Sequence, residues 1–136
     1  MRSRLFKYRW PVLCAVALIA AFTAVAFVAW EAQHQSRDVA ITVAGGDPAR
    51  APDIIRRYGC AGCHTIPGIP GGDGKVGGPL AGIKSRVYVG GVVTNTADNL
   101  IAWIVTPQTF SPRSAMLATG ISEAEARDVA TYLYSQ

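Results

Sequence analysis

The feature that most constrains this chain is an apolar, uncharged run of 20 residues close to its N-terminus. The run extends from Pro11 to Trp30 and reads PVLCAVALIAAFTAVAFVAW. A helix of that length, at about 1.5 Å per residue, measures roughly 30 Å, which is the hydrocarbon thickness of a bilayer. The run therefore predicts a transmembrane helix over residues 11–30, in contact with membrane lipid and preceded by a basic segment, residues 1–10.

The charges on either side of the run predict its orientation. No acidic residue precedes it, whereas the fifteen positions after it hold a single basic residue, Arg37, beside Glu31 and Asp38. Under the positive-inside rule the N-terminus lies in the cytoplasm, and the rest of the chain lies in the periplasm of a bacterium whose inner membrane is crossed once. The basic residues ahead of the run are Arg2, Arg4, Lys7 and Arg9.

A cleaved signal peptide is the competing interpretation of the same run. Ala24-Val25-Ala26 supplies the small-x-small pattern of a cleavage site. The apolar run nevertheless continues to Trp30, beyond the roughly 7 to 15 residues of a signal-peptide core. We therefore favour a retained anchor, although both interpretations export everything after Glu31.

The exported part carries no excess charge. The formal net charge of the chain is +4, and the four basic residues ahead of the apolar run account for all of it. No basic stripe is interleaved with aromatic residues, so no nucleic-acid partner is predicted. We divide this part into a linker, residues 31–46, which shows no sustained periodicity and is predicted to tether without folding, and one small domain, residues 47–136.

The domain is predicted to be all-α, with three main helices joined by long loops rich in glycine and proline. Structureless loops of more than a dozen residues are unusual in a compact domain, and they make sense if they wrap around a group that is not protein. The residues that mark the helix ends are Asp47-Pro48 and Gly59 for the first helix, Thr96 and Pro107 for the second, and the capping box Ser122 and Glu125 for the third.

Two cysteines and a histidine fall within five consecutive positions, Cys60-Ala61-Gly62-Cys63-His64. A C-x-x-C-H run is the attachment signature of a c-type haem. Two thiols three positions apart on one helical turn can reach the two vinyl groups at one edge of the macrocycle, and the adjacent histidine then meets the iron. The run therefore predicts one covalent haem c, held by Cys60 and Cys63, with His64 as an iron ligand.

Other interpretations of the cysteines are weaker. A structural zinc site needs four ligands, and beyond this cluster the chain offers only Cys14, in the apolar run, and His34, in the linker. A thioredoxin-like redox pair belongs to a β-α-β context, which the helical pattern does not supply. Cys14 is interpreted as an apolar filler of the anchor and His34 as a solvated linker residue.

The occupant of the sixth iron position separates electron transfer from chemistry on a bound molecule. The chain has two methionines, Met1 and Met116. Met116 lies in the loop SPRSAMLATG, just before the last helix, where a thioether is free of helical constraint. A methionine that fills a gap in the core is the alternative. The loop position favours Met116 as the second iron ligand.

With these motifs the chain resembles the small single-haem cytochromes c of class I type. C-x-x-C-H follows a first helix, the segment Gly78-Pro79-Leu80 lies in the next loop, a middle helix carries Trp103, and a methionine loop precedes a last helix that ends in aromatic residues. The resemblance covers residues 45–134. A narrower resemblance, in GGVVTNTADNLIAWIVTPQ, is to the cytochrome c domains associated with some bacterial haem-copper oxidases.

The resemblance implies further contacts with the haem. It makes the carbonyl of Pro79 the acceptor of the Nδ1 proton of His64. It implies that the indole N–H of Trp103 meets one propionate, with a plain core tryptophan as the alternative. Arg86 and Tyr88 would serve the other propionate.

The function that follows is one-electron transfer by a membrane-anchored cytochrome c with His64 and Met116 as axial ligands, without substrate chemistry on the protein. The expected partners are a haem-copper terminal oxidase, of which the chain is an associated subunit, and a quinol-oxidising complex. A tethered shuttle between those complexes is the first alternative. The second is a haem enzyme subunit that binds a small ligand at an open sixth position.

Overall fold

The computed structural model describes residues 3–136, with side chains from Arg9 onward. Predictions that involve Arg2, or the side chains of Arg4 and Lys7, lie outside the described residues. The chain forms two compact units, residues 1–35 and residues 36–136.

The first unit consists of helix α1, which spans Ser3–Ala44 and continues into the second unit. The predicted apolar helix over residues 11–30 is confirmed as part of it. Among the described residues α1 is the one helix that is long and apolar enough to cross a membrane. A signal sequence near an N-terminus meets the same two criteria.

The prediction that residues 31–46 tether without folding is wrong, because α1 continues through them to Ala44. Residues 36–44 belong to the second unit, where Ala40 and Ala44 are buried. The hydroxyl of Ser36 donates to the carbonyl of Ser135 at 3.3 Å. Positions 36, 40 and 44 are four residues apart and so share one face of the helix. Three small residues make no visible hydrophobic period, which is why the sequence pattern missed this packing.

Helix α2, Ala51–Arg57, leads into the cysteine cluster. It begins later than the predicted cap, because Asp47 closes a turn and does not cap the helix. The carboxylate of Asp47 accepts the N–H of Ala49 at 2.9 Å, and its carbonyl accepts the N–H of Arg50 at 3.3 Å. Gly59 follows in the left-handed conformation with φ +70°, so the predicted stop is confirmed.

The ends of the remaining helices follow the sequence closely. The hydroxyl of Thr96 caps α3, Ala97–Val105, by accepting the N–H of Asn99 at 3.2 Å. Pro107 ends that helix as predicted and opens a further short one, α4, Pro107–Phe110. The predicted capping box of Ser122 and Glu125 is present at the start of α5, Glu123–Tyr134.

The second unit is a helical domain in which α2 and α3 both pack against α5. Its strands, within the described residues, are one antiparallel pair, β1 (Tyr88–Val89) and β2 (Val93–Thr94), in the register Tyr88 to Thr94 and Val89 to Val93. Isoleucines from the connecting loops complete the core, so the loops are packed and not merely external. The larger core residues are Ile54, Ile55, Ile66, Ile69, Ile83, Val89, Leu100, Ile101, Ile104, Ile121, Val129, Tyr132 and Leu133.

Candidate functional site

The cysteine cluster forms a single turn directly after Gly59. Residues Cys60–Gly62 make one turn of 3-10 helix, and the N–H of His64 donates to the carbonyl of Cys60 at 3.0 Å. The thiol of Cys63 is exposed, that of Cys60 is half-buried, and neither forms a disulfide. Burial raises the pKa of the Cys60 thiol above its ordinary value.

The imidazole of His64 is oriented by a backbone carbonyl. Its Nδ1 lies 2.7 Å from the carbonyl oxygen of Gly78. A carbonyl can only accept, so Nδ1 carries the proton and Nε2 presents its lone pair. This hydrogen bond holds the ring in the tautomer that a histidine needs to ligate a metal through Nε2. The other ring nitrogen, Nδ1, is fixed by its backbone partner.

The acceptor predicted from the sequence was the carbonyl of Pro79, and this prediction is wrong by one residue. The carbonyl of Pro79 instead accepts a hydrogen bond from the guanidinium of Arg86, which also donates to the carbonyl of Ala81 at 3.1 Å. Arg86 therefore ties down the segment that follows the Gly78 carbonyl. The side chains of His64 and Arg86 therefore both bond to backbone carbonyls within residues 78–81.

Close approach of the backbone at Gly77 sets this register. A Cβ atom on Gly77 would lie 2.3 Å from Cε1 of His64, so only glycine allows the chain to pass the ring at this distance. The N–H of Gly77 donates to the carbonyl of Cys63 at 2.8 Å, which holds the strand of backbone against the cysteine turn. The next carbonyl along the chain, that of Gly78, is then the one that meets Nδ1.

The loop that carries Met116 is attached to α4. The side-chain amide of Gln108 donates to the carbonyl of Met116 at 2.7 Å, and the N–H of Met116 donates to the hydroxyl of Ser114 at 3.2 Å. Met116 is half-buried, whereas Leu117 beside it is exposed. Sequence reasoning missed Gln108, because nothing in its local pattern distinguishes it from any polar residue in the first turn of a helix.

The residues predicted to face the propionates lie around the small hairpin. Trp103 is partly buried and packs on the core, with its ring 6.1 Å from that of Phe110. The same ring lies against Gly90, where a Cβ atom would come within 2.3 Å of Cη2. Tyr88 is exposed on β1. The indole and phenol of these two residues make no hydrogen bond to any described residue, so their polar groups are free for another partner.

The donors of this domain fit a haem. Two unbridged thiols adjoin a histidine whose Nε2 is available, and a thioether is carried on a separate loop, which is the set of protein groups that haem attachment and ligation use. No group of three or more His, Cys, Asp or Glu residues in the described part of the chain is arranged to hold a metal ion by itself. Exposed apolar side chains in the surrounding loops suit an apolar macrocycle: Val76, Val87, Val92 and Leu117.

Comparison with known proteins gives one family and one similar protein. The model of the family described as Cytochrome c matches residues 49–136. Cytochrome c oxidase subunit 2 of Alkalihalophilus pseudofirmus is 31% identical over 84 residues, which is 60% of this chain and 23% of that protein. The chain therefore matches less than a quarter of the length of this relative. No solved structure matches the chain.

Proposed function

Because the chain belongs to the cytochrome c family, whose members transfer electrons through a haem, we propose that it carries one haem c on Cys60 and Cys63, with iron ligated by His64 and Met116. The domain over residues 47–136, together with the last turns of α1, is the electron carrier. The transmembrane anchor is residues 11–30, and the carrier domain lies in the periplasm of a bacterium.

The observation that carries this proposal is the hydrogen bond between Nδ1 of His64 and the carbonyl of Gly78. It supports ligation through Nε2, because it selects the tautomer and prevents the ring from turning about Cβ–Cγ. A carbonyl acceptor also increases the basicity of the ligating nitrogen. The backbone of Gly77 also packs against the ring, and a solvated surface histidine would not require this close packing.

A bound haem c supplies reversible one-electron oxidation and reduction of iron. The chain contributes attachment through the two thiols, orientation through His64 and a soft sulfur donor through Met116. A methionine paired with a histidine raises the reduction potential relative to harder donor sets, which suits delivery of electrons to a terminal oxidase.

The partner that we propose is a haem-copper terminal oxidase, with the chain as an associated subunit. The similarity to a protein named cytochrome c oxidase subunit 2 supports this assignment. A quinol-oxidising complex would then supply the electrons. The competing proposal, a tethered shuttle between the two complexes, uses the same haem site and differs only in whether the chain stays bound to the oxidase.

The alternative function is a haem enzyme subunit with an open sixth iron position. Binding of carbon monoxide to the ferrous protein distinguishes such an enzyme from an electron carrier. We expect the ferrous wild-type protein to resist carbon monoxide at neutral pH, because the thioether of Met116 occupies the position. The Met116→Ala variant should bind it readily, as followed in the Soret region. Rapid binding by the wild type, unchanged by Met116→Ala, would refute thioether ligation.

Thr119→Ala is the matched control, because Thr119 is an exposed residue of the same loop. This variant should resist carbon monoxide as the wild type does. If Thr119→Ala also became reactive, the loop as a whole, and not the thioether, would be controlling access.

A further inference from the structure

The methionine loop is joined to the rest of the domain by very few hydrogen bonds. Its contacts at residues 112–121 include a local turn, in which the N–H of Ser114 donates to the carbonyl of Ser111 at 2.9 Å, and the local bond from the N–H of Met116 to Ser114. The bond from Gln108 to the carbonyl of Met116, at 2.7 Å, is the one in the described structure that reaches back to a helix. It ends on the residue whose side chain is the proposed iron ligand.

The position of Gln108 makes it a firm point of attachment. It lies in α4, which begins at the buried Pro107 and packs against α3. The bond is partly buried, so solvent competes with it less than at an open surface. Around it the loop is exposed at Pro112, Arg113, Ala115 and Leu117 and continues exposed to Gly120.

A thioether is an uncharged donor on a flexible side chain, and a loop that leaves the iron gains conformational freedom. Anything that fixes the backbone of Met116 reduces this gain and favours the closed form. A single neutral hydrogen bond changes such an equilibrium by a factor of about 2 to 10. The bond acts directly on the sulfur-bearing residue, because its acceptor is the carbonyl of Met116 itself.

We propose that Gln108 is a positioning residue for iron coordination, whose amide holds the carbonyl of Met116 and so keeps the thioether loop closed. The inference rests on the proposed function, since it requires Met116 to be the ligand. Gln108 does not touch the iron and acts only through the Met116 backbone. It fixes how often the sixth position opens.

Exogenous imidazole measures this opening, because it binds ferric iron only when the thioether has left. Full-length ferric holoprotein in detergent is titrated at one fixed pH, and the far-red absorption of a thioether bound to ferric iron is recorded in parallel. Gln108→Leu removes the donor at similar volume. We expect its apparent affinity for imidazole to rise by about 2- to 10-fold, with a weakened far-red band.

Three further variants make the result specific. Gln108→Lys restores an N–H donor at a similar reach and should return the affinity towards the wild-type value. Gln108→Asn, too short to bridge the gap, should behave like Gln108→Leu and provides a second test if the leucine variant does not accumulate. Thr109→Ala, at an exposed neighbouring position of α4, should leave imidazole binding unchanged.

The outcomes distinguish this inference from the function on which it rests. If Gln108→Leu and Gln108→Asn bind imidazole as the wild type does while Met116→Ala binds it far more tightly, Met116 is the ligand and Gln108 does not position it. If the wild type shows no far-red band and Met116→Ala changes nothing, the ligation itself is wrong. A lower unfolding midpoint with unchanged imidazole affinity would make Gln108 a purely structural residue and would overturn the proposal.

Discussion

Gly77 and His64 show how one missing side chain positions a functional one. The space between the Gly77 backbone and the imidazole is too small for any Cβ atom. As a result the loop passes close enough for the neighbouring carbonyl, that of Gly78, to accept the Nδ1 proton. Proline at the next position offered a carbonyl with the right chemistry, but that carbonyl is directed to Arg86. The predicted and observed acceptors differ by one residue, and only the three-dimensional packing shows which of the two carbonyls meets Nδ1.

Replacement of Gly77 should therefore disturb the histidine specifically. We expect Gly77→Ala to lower the free energy of unfolding of the holoprotein by about 1 to 3 kcal/mol, because the methyl group overpacks the ring. The measurement is denaturant unfolding followed by far-UV circular dichroism. Gly78→Ala is the matched control, since a Cβ atom at that adjacent glycine meets no atom within 4 Å. Equal unfolding midpoints for the two variants would contradict this account of the loop.

At the scale of elements, one carboxylate joins the first and last helices of the domain. Oε2 of Glu125 accepts hydrogen bonds from the hydroxyl of Ser122 at 2.7 Å and from that of Tyr58 at 2.8 Å. Its other oxygen accepts from the guanidinium of Arg57 at 2.8 Å. The hydrogen bonds from Ser122, and next that from Tyr58, lower the pKa of Glu125 below its ordinary value of 4.5. The capping box of α5 thus also fastens α2, immediately before the cysteine turn.

The lowered pKa predicts how the link responds to acid. A carboxylate whose pKa is lower in the folded state contributes stability that is complete above its unfolded value and is lost as the pH falls through the folded value. Glu125→Gln should therefore be less stable than the wild type near neutral pH and should lose less stability on acidification. Denaturant unfolding of the holoprotein at a series of pH values, from about 6 down to about 3, measures this difference.

Glu123→Gln is the control for that experiment, because Glu123 is an exposed carboxylate in the same turn whose partner is Arg127. It should retain most of the acid dependence of the wild type. The result would speak against the Glu125 link if both variants showed the same slope of stability against pH.

Tyr58 reports on the alkaline side of the same link. Its hydrogen bond to Glu125 raises the pKa of the phenol above 10.0, and its contribution to stability is lost as the pH rises through that raised value.

Helix α1 is the element whose extent the sequence most underestimated. Its apolar run was evident from composition, but its last turns carry no apolar stripe. They join the second unit through small side chains at Ala40 and Ala44 and through the hydroxyl of Ser36, which also accepts from Nζ of Lys84 at 3.0 Å. The guanidinium of Arg127 then donates to the carbonyl of Ala44 at 3.2 Å, satisfying one of the free carbonyls at the helix end.

For the whole molecule, the first question is whether the apolar helix is retained. We expect haem to remain in the membrane fraction after an alkaline carbonate wash, because a helix of about 20 apolar residues is not extracted by high pH. The control is the same chain started at Glu31 behind a cleavable signal, whose haem should appear in the wash. Recovery of wild-type haem in the soluble wash, with a new N-terminus near Phe27, would mean that the run is a signal peptide.

The second question for the whole molecule is its electron acceptor. If the chain is an oxidase subunit, its haem should co-migrate with a haem-copper oxidase when native membranes are solubilised in mild detergent and separated on a native gel. A fixed interface survives this treatment, whereas the weak contacts of a mobile carrier do not. Migration of the haem away from the oxidase would leave the tethered shuttle as the function.

Much of the fold was accessible from local patterns. The caps at Thr96 and Ser122 and the stop at Gly59 depend on residues a few positions apart, and the structure has each of them where the sequence predicted. The apolar run over residues 11–30 is helical as predicted, within a longer helix that spans Ser3–Ala44. The haem ligands belong to a different category, because Cys60, Cys63 and His64 were assigned from their spacing and Met116 from its loop. These assignments remain proposals, to which the structure adds the backbone partners of His64 and Met116.

The sequence by itself determined where the chain turns apolar, where α3 and α5 begin, and that two thiols and an imidazole share one turn, because each of these features is set by neighbours along the chain. The tertiary structure decided which carbonyl meets His64, that Gln108 holds the methionine loop, and that the end of α1 belongs to the domain. Those contacts join segments that are separated by 8 to 99 positions. Their partners are selected by how closely two backbones approach, and no local pattern records that distance.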